Sequence, residues 1–171
     1  ILEPKVFGDH RGFFFESFNQ QRFSELTGIT TAFVQDNQSL SVKGVLRGLH
    51  MQVGDFAQAK LVRVLQGKVQ DVVVDVRKGS PTFGQHFSIE LSEQSNTQLY
   101  IPRGFAHGFL VLSEFAVFFY KCDNYYNKAS ERGIMYNDPA LNIQWQMPQV
   151  ELLLSDKDLQ NPLLHEITDT I

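Results

Sequence analysis

The strongest constraint on this chain is a succession of short runs, rich in β-branched and aromatic residues, broken by glycine and proline turns. The runs fall at Val45 to Gln52, Lys60 to Leu65, Val69 to Val76, Gln85 to Leu91, Gln98 to Ile101, Gly108 to Leu112 and Phe115 to Cys122. Between them stand Gly67-Lys68, Lys78-Gly79-Ser80-Pro81 and Pro102-Arg103-Gly104, residues that adopt turn conformations closed to strands. Many of the 15 phenylalanines lie in such runs, including Phe105 to Phe109 and Phe115 to Phe119. Aromatic side chains favour a pleated, half-buried surface, and short strands at this spacing predict a sandwich or barrel. Two helices are expected. Asn19 caps the first, Gln20 to Leu26, which Gly28 terminates; the second begins near Ser155.

The 171 residues suit one domain spanning 1–171, large enough for a single core. No run approaches the roughly 18 apolar residues of a membrane span, so no membrane partner is expected. A formal charge of −4 gives no electrostatic reason to expect nucleic acid. Cys122 is the single cysteine, which excludes an intramolecular disulfide, and its strand context marks it as a buried apolar residue. With no secretory signal visible, the cytoplasm is the expected compartment.

Chemistry concentrates in Arg47-Gly48-Leu49-His50-Met51-Gln52, followed by Lys60 and Gly67. Five residues separate Gly44 from His50, and six separate Lys60 from Gly67. This spacing resembles the first motif of cupin-type barrels, where two imidazoles and a carboxylate hold a divalent ion. Here Gln52 takes the second imidazole position and Lys60 the carboxylate's. An ammonium has no lone pair for a metal, so no metal is expected. What is left is one base beside one fixed positive charge, the parts needed to draw a proton from carbon. Ile101-Pro102-Arg103-Gly104-Phe105-Ala106-His107 follows the second motif and should bring His107 to the same barrel mouth as His50. The expected fold is therefore mainly β, a cupin-type jelly-roll β-barrel with a few short helices.

Strand alternation sets Lys60 on a face with Val62 and Val64, its stem entering an apolar interior, and Tyr120 with Ala116 and Phe118. The same rule sets His50 with Leu46 and Gln52, and Arg47 on the other face unless a bulge intervenes.

A more specific resemblance lies in Asp9-His10-Arg11-Gly12-Phe13-Phe14-Phe15-Glu16-Ser17-Phe18, Phe33-Val34-Gln35-Asp36-Asn37, Ala59-Lys60-Leu61-Val62-Arg63, Gly104-Phe105-Ala106-His107-Gly108-Phe109 and Asn124-Tyr125-Tyr126. With Arg47 to His50, Gly79 to Gly84 and Tyr120-Lys121, these stretches span nearly the whole chain, which resembles the dTDP-sugar 3,5-epimerase family. The resemblance implies an isomerase that needs no metal or redox cofactor. Its substrate would be a dTDP-linked 4-keto-6-deoxyhexose, whose ketone acidifies the hydrogens on both neighbouring carbons. By resemblance His50 is the base, Asp158 its orienting partner, Lys60 the stabiliser of the enolate and Tyr120 the acid that returns the proton. Arg11, Glu16, Gln35, Asn37, Arg47, His107, Glu131 and Lys157 line the site by the same resemblance, with Tyr126 and Phe109 as flat walls for base or sugar. A homodimer is implied, whose N-terminal strands carry Arg11 and Glu16 into the partner's site.

The residue types suit these roles. Imidazole titrates near neutrality and both takes and gives a proton; a phenol with pKa near ~10 resists premature ionisation; a fixed cation stabilises more as negative charge grows on oxygen. Plainer roles exist for each. Lys60 can snorkel from a strand end, Tyr120 can belong to the core, and His107 can be a clasp at the mouth. Asp158 can close a capping box over Ser155-Asp156-Lys157-Asp158, a role hard to combine with holding His50. Arg63 and Arg77 are expected as solvated strand-end charges. Met51, where the family often has Tyr, and Arg103, where it often has Glu, bear on substrate identity more than on proton transfer. Three functions stay open at this level: a double epimerase, an epimerase of C3 or C5 alone, and a noncatalytic sugar-nucleotide binding barrel.

Overall fold

The computed structural model describes residues 1–168. A hairpin of β1 (Phe7–Asp9) and β2 (Gly12–Phe14) leads into α1 (Gln20–Thr27). Then come β3 (Gln35–Val42), β4 (Leu46–Gln52), β5 (Lys60–Gln66), β6 (Lys68–Asp75), β7 (His86–Ser92), β8 (Leu99–Ile101), β9 (Phe105–Val111), β10 (Phe115–Cys122) and β11 (Glu131–Gly133). A five-stranded sheet ordered β11-β4-β9-β6-β7 faces a four-stranded sheet ordered β3-β10-β5-β8. This is the jelly roll that the motif spacing predicts, and all its strand pairs are antiparallel.

The core explains why some strands read as apolar on every residue. Val69 and Val73 of β6 pack between the sheets with Val62, Val64, Leu91, Phe109 and Phe118. Val72 and Val74 point the other way, into a second cluster with Leu49, Met51, Ile134, Leu141 and Leu164. Residues 134–167 wrap the outer face of the five-stranded sheet, so β6 is covered twice and must be apolar on both sides. Its polar exceptions are therefore informative: Asp71 lies on the inward face with Val69 and Val73, and is fully buried. Phe118 stacks on Phe109 with centroids 4.2 Å apart and forms an apolar wall beneath the site.

Helix α1 forms as expected. The Asn19 side chain accepts from the Arg22 N–H, and Gly28, in the left-handed region at φ 73°, donates its N–H to the Ser24 carbonyl. Phe23 buries the helix against Phe18, Phe33 and Tyr100. The second expected helix does not form. Two 3-10 turns, Asp158–Gln160 and Leu164–Glu166, follow Ser155 instead, because Pro162 forces Asn161 into extended backbone at φ −62° and ψ 144°. Strand β3 carries no apolar run, since Gln35-Asp36-Asn37-Gln38-Ser39 is polar; it forms by pairing with β10 along its full length.

Two arginines differ from expectation. Arg77 grips the buried Asp75 through Nε at 2.9 Å and Nη2 at 2.7 Å and lies over the Phe105 ring, while the Arg63 guanidinium lies between Phe15 and Phe119. Both arginines stack on aromatic rings because guanidinium is weakly hydrated and flat.

Candidate active site

The site grows from an irregularity in β4. Its register against β9 shifts between Arg47 and His50, where Gly48 has φ 123° and sits against Gly108. The shift corrects the alternation argument: Leu46 packs with Leu110 and Tyr136, Leu49 and Met51 join the outer cluster, and Arg47 and His50 both line one inner cavity. A bulge does re-aim side chains in this way. The cavity has a volume of about 550 Å³, and Lys60, His107, Tyr120, Lys157 and Asp158 share it.

His50 is held by Asp158 through Nε2 and Oδ1. One carboxylate reaches both His50 and Ser155 because it has two oxygens, but the expected capping box does not form: Oδ2 meets the Ser155 hydroxyl and not the Ser155 N–H, and no α-helix follows. Oδ2 accepts from the Ser155 hydroxyl at 3.0 Å, and that hydroxyl accepts the Asp158 N–H at 3.1 Å. Burial pushes the Asp158 carboxyl upward, but bonds from His50, Ser155 and the Gly48 N–H outweigh it and hold the group below its ordinary value. A buried, ionised carboxylate on one nitrogen fixes the tautomer of the ring and presents Nδ1 as its remaining basic position.

Lys60 opens β5, paired with Ile101 on one side and Cys122 on the other. Its Nζ lies 5.7 Å from the centroid of the Tyr120 ring. Burial lowers the ammonium below the ordinary lysine range, opposed electrostatically by Cys122, Asp71 and Glu131. Burial likewise raises the Tyr120 phenol, with Arg47 pulling it back, so the hydroxyl stays protonated well above neutrality. Cys122 is fully buried, as its context predicts.

His107 reaches Asp71 through Nε2 at 2.8 Å. Sequence reasoning missed Asp71, although a carboxylate inside Val69-Gln70-Asp71-Val72-Val73-Val74 was a usable signal: such a charge persists in a core only with a partner. Ser41 was missed too; its hydroxyl accepts from Arg47 Nε at 3.1 Å.

A smaller chamber of about 240 Å³ adjoins the first and shares His50, Lys60 and Tyr120 with it. Gln35, Asn37, Tyr126 and Glu131 line this chamber. Glu131 accepts from Lys157 at 2.6 Å and from the Tyr126 hydroxyl at 3.0 Å. Burial raises the Glu131 carboxyl, yet Lys157, Tyr126 and His50 together hold it below its ordinary value. Gln52, at a motif position, is buried and accepts the Asn127 N–H. Among the described residues no three His, Cys, Asp or Glu side chains converge as a metal site would require.

Two expected site residues lie elsewhere. Arg11 pairs with Asp9 beside the first hairpin, and Glu16 pairs with Arg22; neither lines either chamber. The hairpin itself is bare, with Phe7, Phe13 and Phe14 at 55%, 67% and 71% exposure.

A family described as dTDP-4-dehydrorhamnose 3,5-epimerase matches residues 1–166. A dTDP-4-dehydrorhamnose 3,5-epimerase of Salmonella typhimurium is 58% identical over 166 residues, covering 97% of this chain and 90% of the relative. The solved structure of a dTDP-6-deoxy-D-glucose-3,5-epimerase from Legionella pneumophila, in complex with dTDP-4-keto-L-rhamnose, superposes with a TM-score of 0.93 at 55% identity, covering 96% of this chain and 87% of the other. A 3'-monoepimerase from Streptomyces bikiniensis in complex with dTDP-quinovose gives 0.90 at 37% identity, covering 96% and 82%.

Proposed function

The chain belongs to the dTDP-4-dehydrorhamnose 3,5-epimerase family, and from that premise we propose how its cavity converts dTDP-4-dehydro-6-deoxy-D-glucose to dTDP-4-dehydro-L-rhamnose. The observation that carries the assignment of roles is the convergence of a carboxylate-held imidazole, a buried ammonium and a buried phenol on one chamber.

The ketone at C4 makes the hydrogens on C3 and C5 acidic. His50 takes one of them at its free nitrogen, and the electron pair left on carbon moves into the ketone, leaving negative charge on O4. Lys60 stands where that charge is worth most: a cation in a half-buried site stabilises a developing oxyanion far more than it does in water. Tyr120, kept protonated by burial, delivers a proton to the opposite face of the carbon, and the configuration inverts. Repeating the cycle at the second carbon completes the double epimerisation. Asp158 fixes the base throughout and compensates the imidazolium formed when His50 is charged.

The diphosphate falls to Arg47 and Lys157 at the mouth of the larger chamber, and the smaller chamber with Gln35, Asn37 and Tyr126 suits the nucleoside. His107, tied to Asp71, supplies a further polar wall near the sugar. Arg11 and Glu16 complete the site from a second copy of the chain, whose exposed hairpin finds in the dimer the apolar cover it lacks here. A lone two-stranded hairpin is marginal in water, which favours that arrangement.

Solvent exchange tests the reaction directly. In deuterated water, with dTDP-4-dehydro-6-deoxyglucose as substrate, mass spectrometry should find label at both carbons. Label at one carbon would move the chain to single-centre epimerases, and tight dTDP binding without any label would make it a binding barrel.

A further inference from the structure

We propose that Lys60 is a carbonyl-capturing amine, forming an imine with aldehydes that carry a phosphate group. The proposal stands on how Lys60 is placed. Lys157 shares its ammonium with Glu131 at 2.6 Å, and Lys68 and Lys121 are each spent on a carboxylate, at 3.4 and 2.9 Å. Lys60 is not: among the described residues no carboxylate or carbonyl lies within hydrogen-bonding distance of its Nζ, which faces the Tyr120 ring instead. It is half-buried and borders both chambers, so a small carbonyl compound entering either one meets the amine. Arg47 and Lys157 line the larger chamber and hold a phosphate by charge-assisted hydrogen bonds.

The chemistry needs no group the cavity lacks. The neutral amine adds to the carbonyl carbon; the nitrogen's two protons leave with the carbonyl oxygen as water, and a C=N bond remains. His50 and Tyr120, on the same chamber, relay those protons. Burial makes the Lys60 ammonium easier to deprotonate than an exposed lysine, since charge is costly away from water, so a group that rests as a cation still supplies the neutral amine that adds to the carbonyl.

Pyridoxal 5'-phosphate followed by borohydride, which delivers hydride to the imine carbon and makes the link permanent, provides the test. Peptide mapping should find Lys60 labelled several-fold faster than the exposed Lys43 and Lys128, with dTDP slowing the reaction and unphosphorylated pyridoxal reacting more slowly. Label spread evenly over the exposed lysines, or a Lys60→Arg protein of native circular dichroism that takes up as much label as the parent, would overturn the proposal. It rests on the cavity and not on the epimerase roles: a protein that labels at Lys60 yet exchanges no hydrogen would keep this inference and sink the other.

Discussion

At the scale of single residues, the roles of His50 and Tyr120 separate cleanly. His50→Asn removes the base but keeps a polar side chain of similar reach, so deuterium incorporation should vanish at both carbons while dTDP affinity, measured by calorimetry, holds. Retained turnover in this variant would disprove the base assignment. Tyr120→Phe keeps the ring that packs beside Phe118 and deletes only the proton donor. Abstraction and exchange should survive, while inverted product falls by about 10²–10⁴-fold, the usual worth of a positioned acid. Equal loss of exchange and product would assign Tyr120 to abstraction or to folding. Asp158 shows how a residue can serve two ends at once, since one oxygen holds His50 and the other accepts from the Ser155 hydroxyl.

At the scale of elements, the pairing of β4 with β9 sets the site, and the loop after β6 is held by one carboxylate. A Cβ on Gly48 would lie 2.6 Å from the Gly108 Cα and 2.7 Å from the His107 carbonyl oxygen, at a φ of 123°. Both obstacles are backbone and cannot rotate away. Gly48→Ala should therefore cost at least about 3 kcal/mol in chemical denaturation; a cost below about 1 kcal/mol would show that the strands part easily. The loop from β6 to β7 hangs on Asp75, which accepts from Arg77, from Ser80 at 2.6 Å and from Thr82 at 2.6 Å. The Arg77 guanidinium dominates in holding this carboxyl far below its ordinary range. The unfolded chain therefore takes up the proton first as pH falls. The stability contributed by Asp75 is complete above the unfolded value near ~4 and drains away below it. Asp75→Asn should cost about 2–4 kcal/mol near neutrality and much less in acid; an equal penalty at both pH values would contradict this account.

At the scale of the whole molecule, the bare hairpin and the absence of Arg11 from both chambers belong together. If the hairpin of one subunit completes the site of the other, two inactive proteins should repair each other. His50→Asn and Arg11→Ala, unfolded and refolded together, form heterodimers in which one site has both groups intact. With random pairing, about a quarter of sites recover, and sedimentation should find a dimer in every sample. No recovery from well-folded dimers would place Arg11 outside the partner's site.

Much of the fold is legible in the chain because period-two alternation and turn residues are local signals. β10 coincides with its apolar run to the residue, and α1 ends within one residue of where Asn19 and Gly28 bound it. Lys60 and Tyr120 follow from alternation in regular strands, and the departure of Gln52 and Lys60 from metal-ligand chemistry is visible in residue type alone. Other features depend on partners distant in sequence. β3 is polar and exists through pairing with β10, and the helix expected near Ser155 gives way to the extended backbone before Pro162. Arg47 and His50 reach one cavity only because β4 slips against β9 at facing glycines. Asp158 meets His50 across 108 positions, and Asp71 finds His107 across 36. Local sequence thus determines which residues alternate and where the chain turns; packing of one sheet and one returning segment against another decides which charged groups share a buried space, because the cost of burying a charge is settled only by the partner it finds there.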